Sequence, residues 1–257
     1  MFSVHCERQG KEIPLVFVHG FMMDSGMWKQ IISAVPEDFP VYIIGLPGHF
    51  SPYTAASADT MDQMATALSK VLCGTAQSRF HLVGHSMGGY LAASLSRVNP
   101  GILASLCLFH SSAKEDSLMK KRSRDRAIEA IDYNKSLFCK SVVVSLVSPE
   151  HSEKLSAVIG EVLENALRLE KETLINALLA MRNREDSLSQ LRSLGIPVAY
   201  IAGESDSRFP LESIQEEAVA IGAIQFSVLK SVAHMGHLES PRATVLALQE
   251  WFEKIKG

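Results

Sequence analysis

The stretch Arg79 to Tyr90, RFHLVGHSMGGY, limits what this chain can become more than any other. Phe80 to Val83 is a short apolar run with aromatic and β-branched residues, which predicts a buried strand. It runs directly into Gly84-His85-Ser86-Met87-Gly88-Gly89, after which Tyr90 to Val98 takes up helical patterning. The centre reads G-x-S-x-G, with Gly89 added. A strand that turns at once into a helix is crowded, so the residues beside the serine cannot carry side chains. Such a turn pushes the serine hydroxyl out at the carboxyl end of a sheet, beside the unpaired N–H groups of a helix start. Ser86 is therefore the candidate nucleophile.

Length fits one large α/β unit: 257 residues bury a sizeable core without disulfides or structural metals. The hydrophobic share of 47% and charged share of 21% are those of a globular protein. A net charge of −3 gives no reason to expect nucleic acid or an anionic membrane as a partner. No apolar run approaches the roughly 20 residues of a membrane span, and MFSVHCERQGKEIP lacks the apolar segment of a signal peptide. Cys6, Cys73, Cys107 and Cys139 form no metal or redox spacing. A cytoplasmic location is the expectation.

Strands are predicted near Phe2–Glu7, Ile13–Val18, Val41–Ile44, Phe80–Val83, Leu103–Phe109, Pro197–Ala202 and Gln225–Leu229. Helices are predicted over Met27–Val35 behind Asp24 or Ser25, from Thr60 with apolar Met61, Met64, Ala65, Leu68 and Leu72, near Leu211–Ile221, and from Pro241 to about Ile255. Strands alternating with helices imply a mostly parallel sheet covered on both faces. The rhythm stops between Ala113 and Leu191. Lys114–Ile131 is charged and helical, Leu137–Leu146 is apolar, and His151–Met181 is amphipathic. Val142-Val143-Val144 suits a strand in isolation and a helix in this setting. The expected organisation is a core of 1–112 and 192–257 with a helical insertion over 113–191.

A serine nucleophile needs a base, a group to orient that base, and donors for an oxyanion. Candidates for each follow a predicted strand, where open α/β sheets place their sites. The oxyanion donors are the N–H of Met87 and an N–H in His19-Gly20-Phe21, with Phe21 preferred. Gly20 lets the backbone approach, and His19 is expected to brace that loop. The acid lies in GESDSRFP: Asp206 is favoured and Glu204 is the alternative, because the order Ser, Asp, His then holds. The base is His234 or His237 in SVAHMGHLESP. Their HxxH spacing lacks an accompanying ligand at a recognised distance, so no metal and no cofactor are expected. His49 and His85 are expected to support the site from behind; His5, His81, His110 and His151 read as structural or surface residues. The charge-rich KKRSRDR, Lys120 to Arg126, reads as a solvated helix face.

HGF, GLPGH, GHSMGG, GESD and AHMGHLESP occur in that order over nearly the whole chain. Together they resemble the α/β-hydrolase superfamily, in its group of small esterase-like and lipase-like serine hydrolases with a helical cap. The resemblance implies a cap after the sixth strand, beginning near Ala113. It also implies that the first histidine of the C-terminal motif is the base, which here is His234, with Ala233 in place of a usual glycine. Gly45 stands where the group usually has an aspartate, the turn GLPGHFSP departs from the usual serine-ending form, and the short N-terminus implies a missing edge strand.

The resulting expectation is a hydrolase of a carboxylic ester of a small, fairly apolar molecule, using Ser86, His234 and Asp206 through an acyl-enzyme. Phe21, Met22 and Phe109 are expected to line its pocket. Carbon–carbon bond hydrolysis, thioester cleavage and cofactor-free perhydrolysis use the same residues and stay open. A binding protein that has kept this fold without turnover is the alternative of another class. Epoxide and haloalkane hydrolases are excluded, since they need an aspartate where Ser86 stands.

Overall fold

The computed structural model describes residues 2–50 and 58–256. Among the described residues, seven strands form one sheet: β1 (Ser3–Arg8), β2 (Leu15–Val18), β3 (Val41–Gly45), β4 (Phe80–His85), β5 (Leu103–Phe109), β6 (Val198–Gly203) and β7 (Gln225–Leu229). Their order is β1-β3-β2-β4-β5-β6-β7. β1 pairs antiparallel with β3, and every other neighbouring pair is parallel.

Alternation along the central strands explains why this sheet is covered twice. Val16, Val18, Leu82, Leu106, Leu108 and Tyr200 enter one apolar layer, while Leu15, Phe17, Val83, Cys107, Phe109 and Ile201 enter the other. Successive side chains of a strand point to opposite faces, so an unbroken apolar run demands helices above and below. Helix α1 (Lys29–Ile32) follows a 3₁₀ turn at Ser25–Trp28, and Asp24 Oδ1 accepts the Gly26 N–H at 2.7 Å. α2 (Met61–Cys73) starts at Thr60, whose Oγ1 accepts the Gln63 N–H. α3 (Met87–Val98) follows β4 and packs beside α2. Full burial of such Leu or Phe side chains stabilises by about 1.5–3 kcal/mol each.

Between β5 and β6 the chain inserts α4 (Leu118–Val144), α5 (Pro149–Ser152), α6 (Ser156–Arg168), α7 (Lys171–Arg182) and α8 (Leu188–Leu194). The two ends of this insertion meet: the Ser187 N–H donates to Ala113 O at 2.9 Å. The expected charged and apolar segments are one kinked helix, α4, because Asn134 leaves helical geometry at φ −158° and its Oδ1 accepts the Leu137 N–H. Val142–Val144 is helical. The amphipathic stretch 151–181 is divided, with extended backbone at Leu169 and Glu170 separating α6 from α7. α8 packs on α3 and on α9 (Leu211–Ile221). α10 (Gly236–Glu239) and α11 (Pro241–Ile255) close the chain, and α11 covers the layer opposite α3 with Leu248, Trp251 and Phe252.

The insertion follows the fifth strand rather than the sixth. Among the described residues β1 alone precedes Leu15. The altered turn GLPGHFSP is described as far as Phe50; its Ser51 and Pro52 lie outside the described residues. No helix among the described residues is long and apolar enough to cross a membrane.

Candidate active site

Ser86 links β4 to α3 at φ 52° and ψ −117°, a conformation that costs a non-glycine residue about 1–3 kcal/mol. The glycines around it allow the turn. A Cβ on Gly84 would lie 2.5 Å from Gly88 O and Gly89 N, and one on Gly88 would lie 2.6 Å from His19 O. The Ser86 N–H is tied to Phe109 O at 3.0 Å, and Ser111 Oγ donates to Ser86 O at 2.7 Å. Hydrogen bonds from two sides thus hold the strained residue.

Three strand ends converge here. His234 Nε2 is 2.9 Å from Ser86 Oγ, and His234 Nδ1 is 2.7 Å from Asp206 Oδ2. Asp206 follows β6 in a turn where its Oδ1 accepts the Arg208 N–H at 3.0 Å. Since Nδ1 faces a carboxylate, it carries the proton and leaves the Nε2 lone pair for the serine hydroxyl. Glu204 is turned away, its Oε2 accepting the Ser231 N–H at 2.9 Å.

Charge in this group follows from burial and pairing. Burial alone would raise the Asp206 pKa, but attraction to His234 and hydrogen bonds from His110 and His234 hold it well below the usual carboxylate range. For His234 burial dominates and lowers the pKa below 6.5, with Asp206 opposing. Near neutral pH the site therefore holds a carboxylate and a neutral imidazole.

Gly20 brings the β2 loop against Ser86: a Cβ there would lie 3.2 Å from Ser86 Cβ. Among the described residues, neither the Phe21 N–H nor the Met87 N–H makes a backbone hydrogen bond. His19 braces this loop, with Nε2 accepting the Leu46 N–H at 3.0 Å and Nδ1 donating to Gly20 O at 2.9 Å. Burial, and then His49 beside it, lower its pKa to about 3, so it stays neutral.

A cavity of about 440 Å³ opens over Ser86, between the strand ends and helices α4 and α7. Phe21 and Met23 line it, but Met22 and Phe109 do not. Met22 takes φ 63° and buries its side chain in the core, which leaves the next residue to face the cavity. Phe109 points to the other side of the sheet, where its ring meets Trp28 and His237.

The sequence pattern of the alpha/beta hydrolase family matches residues 15–248. The chain belongs to the alpha/beta hydrolase family. It is 27% identical over 245 residues to a 2-succinyl-6-hydroxy-2,4-cyclohexadiene-1-carboxylate synthase of Enterobacter sp. (strain 638), covering 92% of this chain and 90% of that one. Identity to a pimeloyl-(acyl-carrier protein) methyl ester esterase of Nitrosomonas europaea is 27% over 219 residues, 80% of this chain and 82% of the relative. Among solved structures, a thermophilic esterase from Thermogutta terrifontis superposes with a TM-score of 0.86 at 28% identity, covering all (100%) of this chain and 94% of that one.

The contacts of several further residues around Ser86 are not legible in the sequence. His110, read from sequence as structural or surface, is buried at φ 45° with Nδ1 at 3.3 Å from Asp206 Oδ2. Glu239 organises the histidine loop: Oε1 accepts Ala233 N–H at 3.1 Å and Met235 N–H at 3.0 Å, and Oε2 accepts Ser148 N–H at 2.9 Å. His237, the other candidate base, does not reach Ser86: it is buried against the His85 and Phe109 rings, with Nδ1 unpartnered among the described residues and its pKa lowered by burial to about 3. Lys120 and Arg124 line the cavity, so the charge-rich stretch is not wholly a solvated face.

His110, Asp206 and His234 bring potential metal-ligand atoms within 4.8 Å of one another. Both imidazoles direct Nδ1 at the same oxygen, Asp206 Oδ2, and are proton donors in that arrangement. Their lone pairs on this side are used by N–H protons, so the group is built as a hydrogen-bonded set. His85 stands behind it, with Nε2 at 3.0 Å from His234 O. His49 packs against His19 and Phe21. His81 and His151 are engaged elsewhere, with Ser105 and with Ser148 and Glu239, and His5 is exposed at the edge strand.

Proposed function

We propose that this chain is a serine hydrolase of a carboxylic ester, with Ser86 as nucleophile, His234 as base and Asp206 as the orienting acid. The observation that carries the reading is the unbroken chain of contacts from Ser86 Oγ through both ring nitrogens of His234 to Asp206 Oδ2. Ser86 Oγ attacks the ester carbonyl as its proton passes to His234 Nε2, and the imidazolium formed is stabilised by the Asp206 carboxylate. The N–H groups of Phe21 and Met87 receive the oxyanion, next to the positive end of α3. The imidazolium then protonates the departing alcohol. Water, deprotonated by the same imidazole, releases the acid from the acyl-enzyme and restores Ser86.

Two relatives named as esterases favour an ester over the thioester, carbon–carbon and perhydrolase alternatives that share these residues. The insertion serves as a cap: Phe138 and Val142 from α4, and Leu178 and Met181 from α7, form the apolar roof of a cavity sized for a small acyl group. A turnover-free binding protein would have no use for an ionised acid and a neutral base aligned on a strained serine.

The test is labelling and burst kinetics. A fluorophosphonate should modify Ser86 alone. Ser86→Ala should reduce ester hydrolysis to near background, and His234→Ala should lose the single-turnover burst that His237→Ala retains. Labelling at another serine, or a burst lost in His237→Ala and kept in His234→Ala, overturns the assignment.

A further inference from the structure

Lys120, Ser123, Arg124 and Ala127 all line the cavity above Ser86. That spacing is one face of a helix, so the start of α4 turns a basic stripe inward. Arg208 joins them from the loop after β6, and no aspartate or glutamate among the described residues lines this cavity. We propose that Lys120 and Arg124 form an anion subsite, and that the substrate is an ester carrying a carboxylate or phosphate at the end remote from the scissile carbonyl.

The donors assign the roles. Arg208 is committed to the insertion, its Nη1 and Nη2 donating to Ser145 O and Oγ, each at 2.9 Å. Arg124 uses only Nε, at 3.0 Å from Asp116 Oδ2; among the described residues its two terminal nitrogens have no partner. That is the edge which binds a carboxylate or phosphate through two parallel hydrogen bonds. Lys120 Nζ donates once, to Arg208 O at 3.0 Å, and has two further N–H bonds to give. The nearby Asp116 does not neutralise the pair. Its fully buried carboxylate is shared between Arg124 and Arg184, the latter at 2.7 Å.

The position suits a short bifunctional substrate. The Phe209 ring stacks on His234 at 5.5 Å and 16°, and Lys120 Nζ sits 5.2 Å from the same ring. One aromatic ring therefore touches both the base and the ammonium. Burial pulls the Lys120 pKa down, with Asp116 opposing; an anion bound beside it would replace the hydration this ammonium has lost.

The proposal relies on the ester-hydrolase reading only for where the scissile bond lies, and the test separates the two. kcat/KM is measured for monomethyl adipate, for dimethyl adipate, and for the methyl ester of a phosphono-terminated acid of matched length. The readout is the anionic-to-neutral ratio within each variant, so a general loss of activity cancels. Wild type should favour one or both anionic esters, and the favoured one identifies the anion. Lys120→Met and Arg124→Gln should each lower that ratio about tenfold or more, mainly through KM, and 0.5 M salt should lower it in wild type, as loss or screening of a charge-assisted contact does (roughly one decade per contact). Arg124→Lys should recover part of the ratio while restoring the bond to Asp116. A wild-type ratio at or below one, or variant ratios within about twofold of wild type, overturns the subsite. If no ester is hydrolysed, the hydrolase reading fails. Calorimetric titration of free adipate and of a matched phosphonate then decides the subsite: binding that Lys120→Met weakens about tenfold supports it, and no binding overturns it.

Discussion

Glu239→Gln is a change of one atom, and the structure gives it a large expected effect. The Glu239 side chain has no exposed surface (0%), and its two oxygens face donors only. These are the N–H groups of Ala233, Met235 and Ser148, together with His151 Nδ1 at 3.2 Å. A carboxamide keeps one acceptor and sets an NH₂ against whichever donors faced the other oxygen. Hydrogen bonds to a buried charge contribute roughly 1.5–3 kcal/mol each, so losing one to two of them should destabilise by about 2–4 kcal/mol. His234 sits between two of the residues held, so the same change loosens the imidazole over Ser86. A displacement of that kind should lower kcat by roughly tenfold to a hundredfold with little change in KM. Urea unfolding monitored by tryptophan fluorescence gives the first quantity and initial rates give the second. For Glu239 burial raises the pKa, but the backbone N–H groups of Ser148, Ala233 and Met235 and the His151 bond outweigh it, so the net shift is downward. The carboxylate's contribution is therefore present above the unfolded-state pKa of about 4.3 and fades as pH falls through the lower folded value. A stability loss below about 1 kcal/mol together with a kcat within twofold of wild type would refute the reasoning.

Asp206→Asn should fold normally and lose roughly a thousandfold or more in kcat, because an amide cannot hold the required tautomer or stabilise the imidazolium; Glu204→Gln, measured alongside, should stay near wild type because Glu204 only ties down the Ser231 N–H. The reverse pattern would mean that Glu204 is the acid. The acid limb of kcat/KM should lie below pH 6.5, since burial lowers the His234 pKa and the base remains neutral until pH falls through that lowered value. A limb centred at or above about 7 would show that the Asp206 charge outweighs burial. A chelator should leave the rate unchanged, because His110 and His234 both give their Nδ1 protons to Asp206; zinc-restored activity after chelation would contradict that assignment.

The parts of this molecule that were legible in the sequence are those that constrain the backbone. β5 spans Leu103–Phe109 and α9 Leu211–Ile221, as their patterns predict, because two-faced burial of the strand and a glycine at the helix end are written locally. The turn around Ser86 is legible for the same reason: its glycines are sites where a side chain would strike backbone. What stayed hidden depends on contacts across long separations. Met23 rather than Met22 lines the cavity because one residue adopts φ 63°, a choice made by the packing of the whole loop. His110 reaches Asp206 across 96 positions, and a histidine ending a strand carries no sign of that partner. The start of α4 is charged on more than one face, so only its placement over Ser86 decides that Lys120 and Arg124 turn inward while Arg122 stays exposed. Reaction class and specificity are therefore recorded differently in this chain. Residues at an obligatory backbone turn locate the chemistry, whereas the groups that would select a substrate sit on an inserted helix whose orientation is a tertiary outcome. A change such as Arg124→Gln leaves every backbone motif intact, which is why membership of the alpha/beta hydrolase family points to the candidate site without naming the molecule that enters it.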